Sequence, residues 1–288
     1  MFSRVLGISI ALMVASFAAG QGRGDAARGA RGGGLANKVP DLPAGAFTAS
    51  STVAHTTLQH EWVDIPFGGA RLHTWIEYPT GAGKAPVVVV MSHEAGLDDW
   101  MRAIADQLAT QGFIAIAPDI LSGRGPSGGN MDAFKFSADV VQAIAKVTPD
   151  GVMRRYKAAR DYALRLPRAN GKSGSLGIGM GGADSFRFAA EVADLNAAVV
   201  FYGTSPADSV LAKIKAPISG FYGEDDARVI PTVKRAEGTM KRLGKTYEAH
   251  VYPGATQAFL RSTVEGENTA AQTAAWPAAI QFLQEHLK

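Results

Sequence analysis

The chain has 288 residues, of which 47% are hydrophobic and 19% are charged, a composition that excludes a disordered body and suits one large core. Its 29 basic and 26 acidic residues give a formal charge of +3 without a basic run, so we expect no nucleic-acid partner. The absence of cysteine excludes disulfides and thiolate metal sites.

The N-terminus has the features of a secretory signal peptide over residues 1–20. Arg4 precedes an apolar stretch, Val5–Ala19, and small residues follow near its end. A short membrane anchor is the alternative, but the stretch is below the roughly 20 residues that a spanning helix needs. We therefore expect a secreted or periplasmic protein with no stable membrane insertion after signal removal. Residues 21–47, rich in Gly, Ala and Arg, are predicted to form a flexible leader.

From residue 48 to residue 288 the pattern predicts a single α/β domain. The continuous apolar run Pro86–Met91 is typical of a central strand buried on both faces. The predicted strands are 61–66, 71–78, 86–91, 113–117, 175–178, 197–202, 217–222 and 247–252. The predicted helices are 98–111, segments within 136–166, 182–192, 231–243 and 270–286. This alternation predicts a mostly parallel, twisted sheet of about eight strands with helices on both faces.

The turn after the strand at 175–178 has the glycine spacing of a nucleophile elbow. Gly177 and Gly181 stand two positions either side of position 179, as this sharp strand-to-helix turn requires. A serine or cysteine is expected between them to attack a carbonyl, but the residue is Gly179. Gly177, Gly179 and Gly182 also fit the dinucleotide pattern Gly-x-Gly-x-x-Gly. That alternative is disfavoured, because no acidic residue ends the next strand.

Four segments in this order resemble the dienelactone hydrolase family of the α/β-hydrolase superfamily. They are His93–Leu97, the elbow at 177–181, Gly223–Val229 and Tyr252–Phe259. The resemblance covers roughly residues 61–288. It implies an α/β-hydrolase fold, a small ester, lactone or carboxylate ligand and no cofactor.

By this resemblance, Glu94 lies beside the nucleophile position, Asp226 orients the catalytic imidazole and position 257 holds the general base. Position 257 is Gln257, whose amide can hydrogen-bond Asp226 but cannot transfer a proton near neutral pH. Asp225 is a competing choice for the aspartate, and Asp226 is alternatively a helix cap. From the residues alone, Glu94 is equally a solvated loop residue and His93 a packing residue.

The resemblance also assigns residues around the reacting group. Backbone N–H groups of Ala95 and Met180 are expected to form the oxyanion hole. Arg261 stands four residues after the histidine position, where the family binds the substrate carboxylate. Arg124 is a candidate second anion contact and Trp100 a candidate pocket wall, although both equally suit surface positions.

Two functions stay open for a chain that keeps the elbow but lacks two triad residues. The first is hydrolysis of carboxylic ester or lactone bonds, weak or lost, or carried by substitutes such as His93 as base and Ser92 or Ser185 as nucleophile. Ser185 fits poorly, because it falls inside the predicted helix. The second is non-catalytic binding of a small carboxylate. The six histidines have no metal-ligand spacing, so no metal is expected.

Overall fold

An apolar central strand and a glycine hairpin set up the sheet. The computed structural model describes residues 42–261 and 268–288. Two glycines, Gly68 and Gly69, join the first two strands with φ of +54° and +81°, the left-handed conformation that tight hairpins require. The strands are β1 His60–Phe67, β2 Ala70–Glu77, β3 Ala85–Met91, β4 Ile114–Pro118, β5 Ala169–Ile178, β6 Ala197–Phe201, β7 Ile218–Gly223 and β8 Tyr247–Tyr252.

The helices follow the predicted alternation and cover both faces of the sheet. They are α1 Ala49–His55, α2 Asp99–Thr110, α3 Ser137–Ala145, α4 Pro149–Leu164, α5 Met180–Glu191, α6 Asp208–Leu211, α7 Ile230–Arg242 and α8 Thr269–Leu287. Helix α4 begins with Pro149 behind a Thr148 cap whose hydroxyl accepts the Gly151 N–H, which explains a sharp start at this point.

The sheet has the order β1-β2-β4-β3-β5-β6-β7-β8. The pairs β1–β2 and β2–β4 are antiparallel, and the remaining pairs are parallel. The predicted α/β fold with a mostly parallel sheet of eight strands is therefore confirmed. The carboxyl ends of β3, β5, β6, β7 and β8 lie along one edge, so the loops that follow them meet there.

The hydrophobic core forms two layers, one on each face of the sheet. Alternate valines of β3 belong to opposite layers, as the two-residue repeat of a strand dictates. Tyr156 and Phe186 fill one layer, while Trp100, Phe201 and Trp276 fill the other. Full burial of one such large side chain is worth about 1.5–3 kcal/mol, so these layers hold the loops of the site in place.

Three features differ from the predicted pattern. Strand β5 begins at Ala169 rather than 175, because its first residues are polar and carry no apolar signal. Helix α1 was not predicted. Residues 42–47, assigned by composition to the leader, pack against the domain: Leu42 is buried, and the Ala44 carbonyl accepts a hydrogen bond of 3.0 Å from Trp100 Nε1. The predicted signal peptide and the rest of the leader lie outside the described residues.

Within residues 42–261 and 268–288, no helix is both long and apolar enough to cross a membrane.

Candidate active site

The turn between β5 and α5 has the backbone geometry of a nucleophile elbow. Gly179 has φ +59° and ψ −114° and lies directly before the first residue of α5. A Cβ at Gly177 would lie 1.9 Å from the Gly181 carbonyl oxygen, and a Cβ at Gly181 would lie 2.1 Å from the Met91 carbonyl oxygen. Neither flanking position has room for a side chain, so the strand and the helix approach as closely as an elbow requires.

Position 179 itself faces the glutamate that the family resemblance places beside the nucleophile. A Cβ at Gly179 would lie 3.3 Å from Glu94 Oε2 and 3.8 Å from His93 Cβ. The contact with Glu94 Oε2 is tight, so a small side chain at this position would require the end of the Glu94 side chain to shift by a few tenths of an ångström. The position therefore keeps the space for a nucleophile while the residue supplies none.

Asp226, the predicted triad acid, lies in the turn after β7 with one unpaired carboxylate oxygen. The residue is 5% exposed, and Oδ1 accepts the backbone N–H groups of Arg228 and Val229 at 3.2 and 3.1 Å. The other oxygen, Oδ2, is buried without a hydrogen-bond partner in the described part of the chain. Asp226 thus caps the turn before α7 with one oxygen and leaves the other unpaired. Asp225, the competing choice, is exposed.

The hydrogen bond expected between Gln257 and Asp226 does not form among the described residues. Gln257 is exposed, directly before Ala258, whose φ of +60° turns the chain. Position 257 therefore supplies neither a base nor a partner for Asp226.

The substitute residues considered from sequence are all occupied or buried. His93 is 4% exposed, and its Nδ1 accepts the Ala95 N–H at 3.3 Å. The proton must then sit on Nε2, which donates to Asp98 Oδ2 at 3.2 Å, so neither nitrogen is free to act as a base. Ser92 is fully buried, and the Ser185 hydroxyl is hydrogen-bonded to Ser175 Oγ at 2.8 Å.

The two predicted donors of the oxyanion hole, the Met180 and Ala95 N–H groups, differ in whether they are free to bind an anion. Met180 is the first residue of α5, so its N–H has no acceptor inside the helix and is free to bind an anion. The Ala95 N–H, in contrast, is directed to His93 Nδ1 at 3.3 Å, a long and therefore weak hydrogen bond. Met180 is the clearer of the two donors.

Asp98 holds together the side of the site that carries Arg261, and no sequence pattern singles it out. Its Oδ1 caps α2 by accepting the Met101 N–H at 3.0 Å, and its Oδ2 accepts from both His93 Nε2 and Arg261 Nη2 at 3.2 Å. Burial opposes ionisation, but the hydrogen bonds from His93 and from the Met101 N–H, with the charge of Arg261, lower the pKa of Asp98. In the sequence, Asp98 is marked only by its position at the N-terminal cap of a predicted helix.

Arg261 and Trp100 form a packed pair next to Asp98. The guanidinium carbon of Arg261 lies 5.4 Å from the centre of a Trp100 ring, and the indole is buried. Arg261, which the resemblance predicts to bind a substrate carboxylate, is paired with a carboxylate of the protein, that of Asp98. Arg124 is exposed in the loop after β4 and lines neither of the two cavities described next.

Two cavities adjoin the Asp98–Arg261 pair. A cavity of about 640 Å³ runs from Glu94 and Ala95 to the apolar side chains of α3 and the loop before it. The lining side chains on that far wall are Met131, Phe134, Phe136, Val140 and Val141. A second cavity of about 410 Å³ lies beside Trp100 on α2. The larger cavity joins a polar end, near position 179, to an apolar wall, which suits a small organic ligand.

Tyr202, directly after β6, is the second site residue that sequence reasoning missed. Its φ is +41°, an uncommon conformation for a bulky side chain, and its buried hydroxyl has no hydrogen-bond partner in the described residues. Burial raises its pKa well above the usual range, the charge of Glu94 adds to this and that of Arg261 opposes it. Tyr202 therefore lies within the electrostatic reach of both residues.

The described residues contain no group of three side chains able to hold a metal ion.

The strand order and the elbow after β5 define an α/β-hydrolase fold. The family model for the dienelactone hydrolase family matches residues 72–287, about three quarters of the chain. The chain therefore belongs to the dienelactone hydrolase family.

A relative agrees with this assignment, and two solved structures share the fold. A Bradyrhizobium protein described as "Probable 2-oxo-3-(5-oxofuran-2-ylidene)propanoate lactonase" is 28% identical over 250 residues, covering 82% of this chain and 98% of its own. The structure of a dienelactone hydrolase from Anabaena variabilis has a TM-score of 0.62 at 20% identity, covering 81% of this chain and all of its own. A dienelactone hydrolase-like promiscuous phosphotriesterase from metagenomic libraries has a TM-score of 0.66 at 22% identity, with coverage of 81% and 100%.

Proposed function

We propose that this protein takes a small carboxylic ester, lactone or related carboxylate at the cavity beside Gly179, and that it hydrolyses such ligands only weakly. One observation carries the proposal: the elbow is intact, but Gly179 puts no nucleophile in it. Family membership and the lactonase description of the Bradyrhizobium relative support the ligand class.

The expected activity follows from the rate that triad hydrolases lose when a catalytic residue is removed. Removing the nucleophile or the base costs on the order of 10⁴ to 10⁶ in rate, while the oxyanion hole and binding alone retain about 10³ to 10⁴ over water. Met180 still offers its N–H, and the cavity still adjoins Arg261. Weak turnover by a non-covalent route is the result we expect.

Two measurements test the proposal together. Hydrolysis of p-nitrophenyl acetate and of a dienelactone by the purified protein is compared with buffer, and binding of a lactone and of a small carboxylate is measured by calorimetry. We expect binding, and hydrolysis measurably above the buffer rate. We expect Arg261→Ala to weaken binding at least tenfold and Arg228→Ala, an exposed arginine outside the cavities, to leave it unchanged. A protein that binds none of these ligands contradicts the proposal.

The second candidate function is a non-catalytic carboxylate-binding protein. It is favoured by the unpaired Asp226 Oδ2 and the exposed Gln257, since together they remove the proton relay of the family. Binding with hydrolysis equal to buffer would support this candidate over the first.

We also propose that the protein works outside the cytoplasm. The proposal rests on the signal-peptide features of residues 1–20. Sequencing the N-terminus of protein recovered from the periplasm or the medium tests it. Recovery of the full-length chain in the cytoplasm would contradict export.

A further inference from the structure

We infer that Glu94 is the general base of a direct, non-covalent hydrolysis, in which a water molecule attacks from the place that a nucleophile side chain would occupy at position 179. The inference rests on the proposed function and gives that site a chemical route. It differs from the covalent route of triad hydrolases, because no bond to the protein forms.

The first support is the space in front of Gly179. Apart from its chain neighbours, a Cβ there would have two described atoms within 4 Å, Glu94 Oε2 at 3.3 Å and His93 Cβ at 3.8 Å. A serine oxygen would sit about one further bond length out, and a water molecule at that point is within hydrogen-bonding reach of the carboxylate. The glycine thus opens the attacking position to water beside an acceptor.

The second support is that Glu94 is free to accept a proton. It is exposed at the end of the 640 Å³ cavity and accepts no hydrogen bond from another described residue. Asp98, the nearest comparison, has both oxygens engaged. A general base needs a free lone pair within hydrogen-bonding distance of the proton that it removes, and Glu94 meets both conditions for a water at position 179.

The third support is that the other candidate bases are excluded by their own contacts. Both nitrogens of His93 are engaged. The free oxygen of Asp226 is buried. The histidine that would pass a proton between Asp226 and the site is replaced by the exposed Gln257. The Tyr202 phenol is held neutral, since burial raises its pKa well above the usual range. Glu94 is the remaining titratable base beside the attacking position.

The reaction balances without a further reactant. The water oxygen bonds to the carbonyl carbon as one water proton passes to Glu94, and the Met180 N–H stabilises the oxyanion that forms. The bond from that carbon to the alkoxy oxygen then breaks, and Glu94 returns the proton to the leaving oxygen. An ester gives an acid and an alcohol, whereas a lactone gives a single hydroxy acid.

Variants of the full protein test this route with p-nitrophenyl acetate. General-base catalysis is worth about 10² to 10⁴ in rate, so Glu94→Gln should lower the rate above buffer at least 100-fold. Glu237→Gln, the same exchange at an exposed residue of α7, should leave the rate unchanged. Gly179→Ala should also lower the rate, because its methyl group enters the water position. Thermal unfolding of each variant establishes that it is folded.

Mass spectrometry during turnover separates this route from a covalent one. We expect no acetyl group on a residue of the site. An acetylated site residue, or a folded Glu94→Gln protein with the wild-type rate, overturns the inference. A wild-type rate equal to buffer also overturns it, but leaves the proposed site standing if carboxylates still bind in calorimetry. Failure of both hydrolysis and binding overturns the proposed function itself.

Discussion

Position 179 keeps the backbone geometry of a nucleophile elbow but has no nucleophilic side chain. Its φ of +59° and ψ of −114° strain any residue with a Cβ, at a cost of order 1–3 kcal/mol, whereas glycine adopts them more freely. A hydrolase accepts this strain because the exposed nucleophile requires it. In this chain the strain is relieved, but the close approach of Gly177 and Gly181 that creates the elbow is kept.

We therefore predict that Gly179→Ser combined with Gln257→His restores covalent esterase activity. The new hydroxyl would face Glu94, and an imidazole introduced at position 257 would find an unpaired acceptor in Asp226 Oδ2. We expect kcat/KM for p-nitrophenyl acetate to rise at least 100-fold over wild type. The two single variants serve as controls: Gln257→His should stay near wild type, and Gly179→Ser, whose side chain enters the water position, should not exceed it. A folded double variant that remained inert would show that more than two residues are missing.

Asp98 illustrates a residue whose importance depends on contacts distant in sequence. It caps α2 and holds both His93 and Arg261, although Arg261 is 163 residues away along the chain. A helix cap is worth about 1 kcal/mol and a hydrogen bond to a charged group about 1.5–3 kcal/mol. We predict that Asp98→Ala lowers the free energy of unfolding in urea by about 2 kcal/mol or more. Asp99→Ala, which removes a surface ion pair with Arg102, should cost less than about 1 kcal/mol.

The difference in unfolding free energy between wild type and Asp98→Ala should depend on pH in a definite direction. Because the folded pKa of Asp98 is lowered, its ionised form stabilises the fold at neutral pH, and this contribution is lost as the pH falls below the ordinary value of 3.8. The stability gap between wild type and Asp98→Ala should shrink in acid. A gap that stayed constant to pH 2 would contradict the role of the carboxylate charge.

At the scale of elements, strand β2 carries a buried acid against helix α2. Glu77 is 1% exposed, and its Oε2 accepts the Trp75 Nε1 proton at 3.0 Å. Burial, followed by the charge of Asp106 on α2, raises the pKa of Glu77 to about 8. The carboxyl group is therefore largely protonated in the folded protein at neutral pH.

We predict that Glu77 makes the protein less stable as the pH rises. A raised folded pKa means that the favourable contribution is complete below the ordinary pKa of 4.5 and is lost between there and about 8. Glu77→Gln, which cannot ionise, should exceed wild type in free energy of unfolding at pH 8 by more than at pH 5. Glu237→Gln on α7 should show no such trend. If wild type and Glu77→Gln had the same dependence of unfolding free energy on pH, that dependence would arise from groups other than Glu77.

Elements with a regular apolar repeat could be predicted from sequence, and elements without one could not. The run Pro86–Met91 identified β3, and the elbow glycines marked the end of β5. The polar beginning of β5 and the short helix α1 carry no such repeat and were missed. At the site, the order of the motifs placed Gly179 beside Glu94, but the positions of Asp98 and Tyr202 arise from packing between strand ends and leave no local pattern.

For the whole molecule, the site joins segments that are far apart in the chain. Glu94 follows β3, Met131 lies in the connection after β4 and Arg261 follows β8, so a ligand that touches them binds only the folded domain. Binding to the folded state alone adds RT ln(1 + [L]/Kd) to the free energy of unfolding, about 2.7 kcal/mol at 100 times Kd. We predict that a carboxylate or lactone at that excess raises the midpoint of thermal unfolding as one transition.

The comparison variant for this prediction is Arg261→Ala, in which the same ligand concentration should give a smaller shift because Kd has risen. Leu243, exposed at the end of α7 and far from the cavities in the chain, offers Leu243→Ala as a control that should shift like wild type. A ligand that shifted all three proteins equally would act on the solvent or on another surface. Suppose that calorimetry gives a Kd in the micromolar range but millimolar carboxylate leaves the wild-type unfolding midpoint unchanged. The ligand would then bind the unfolded chain as well, which contradicts a site built from three separate strand ends.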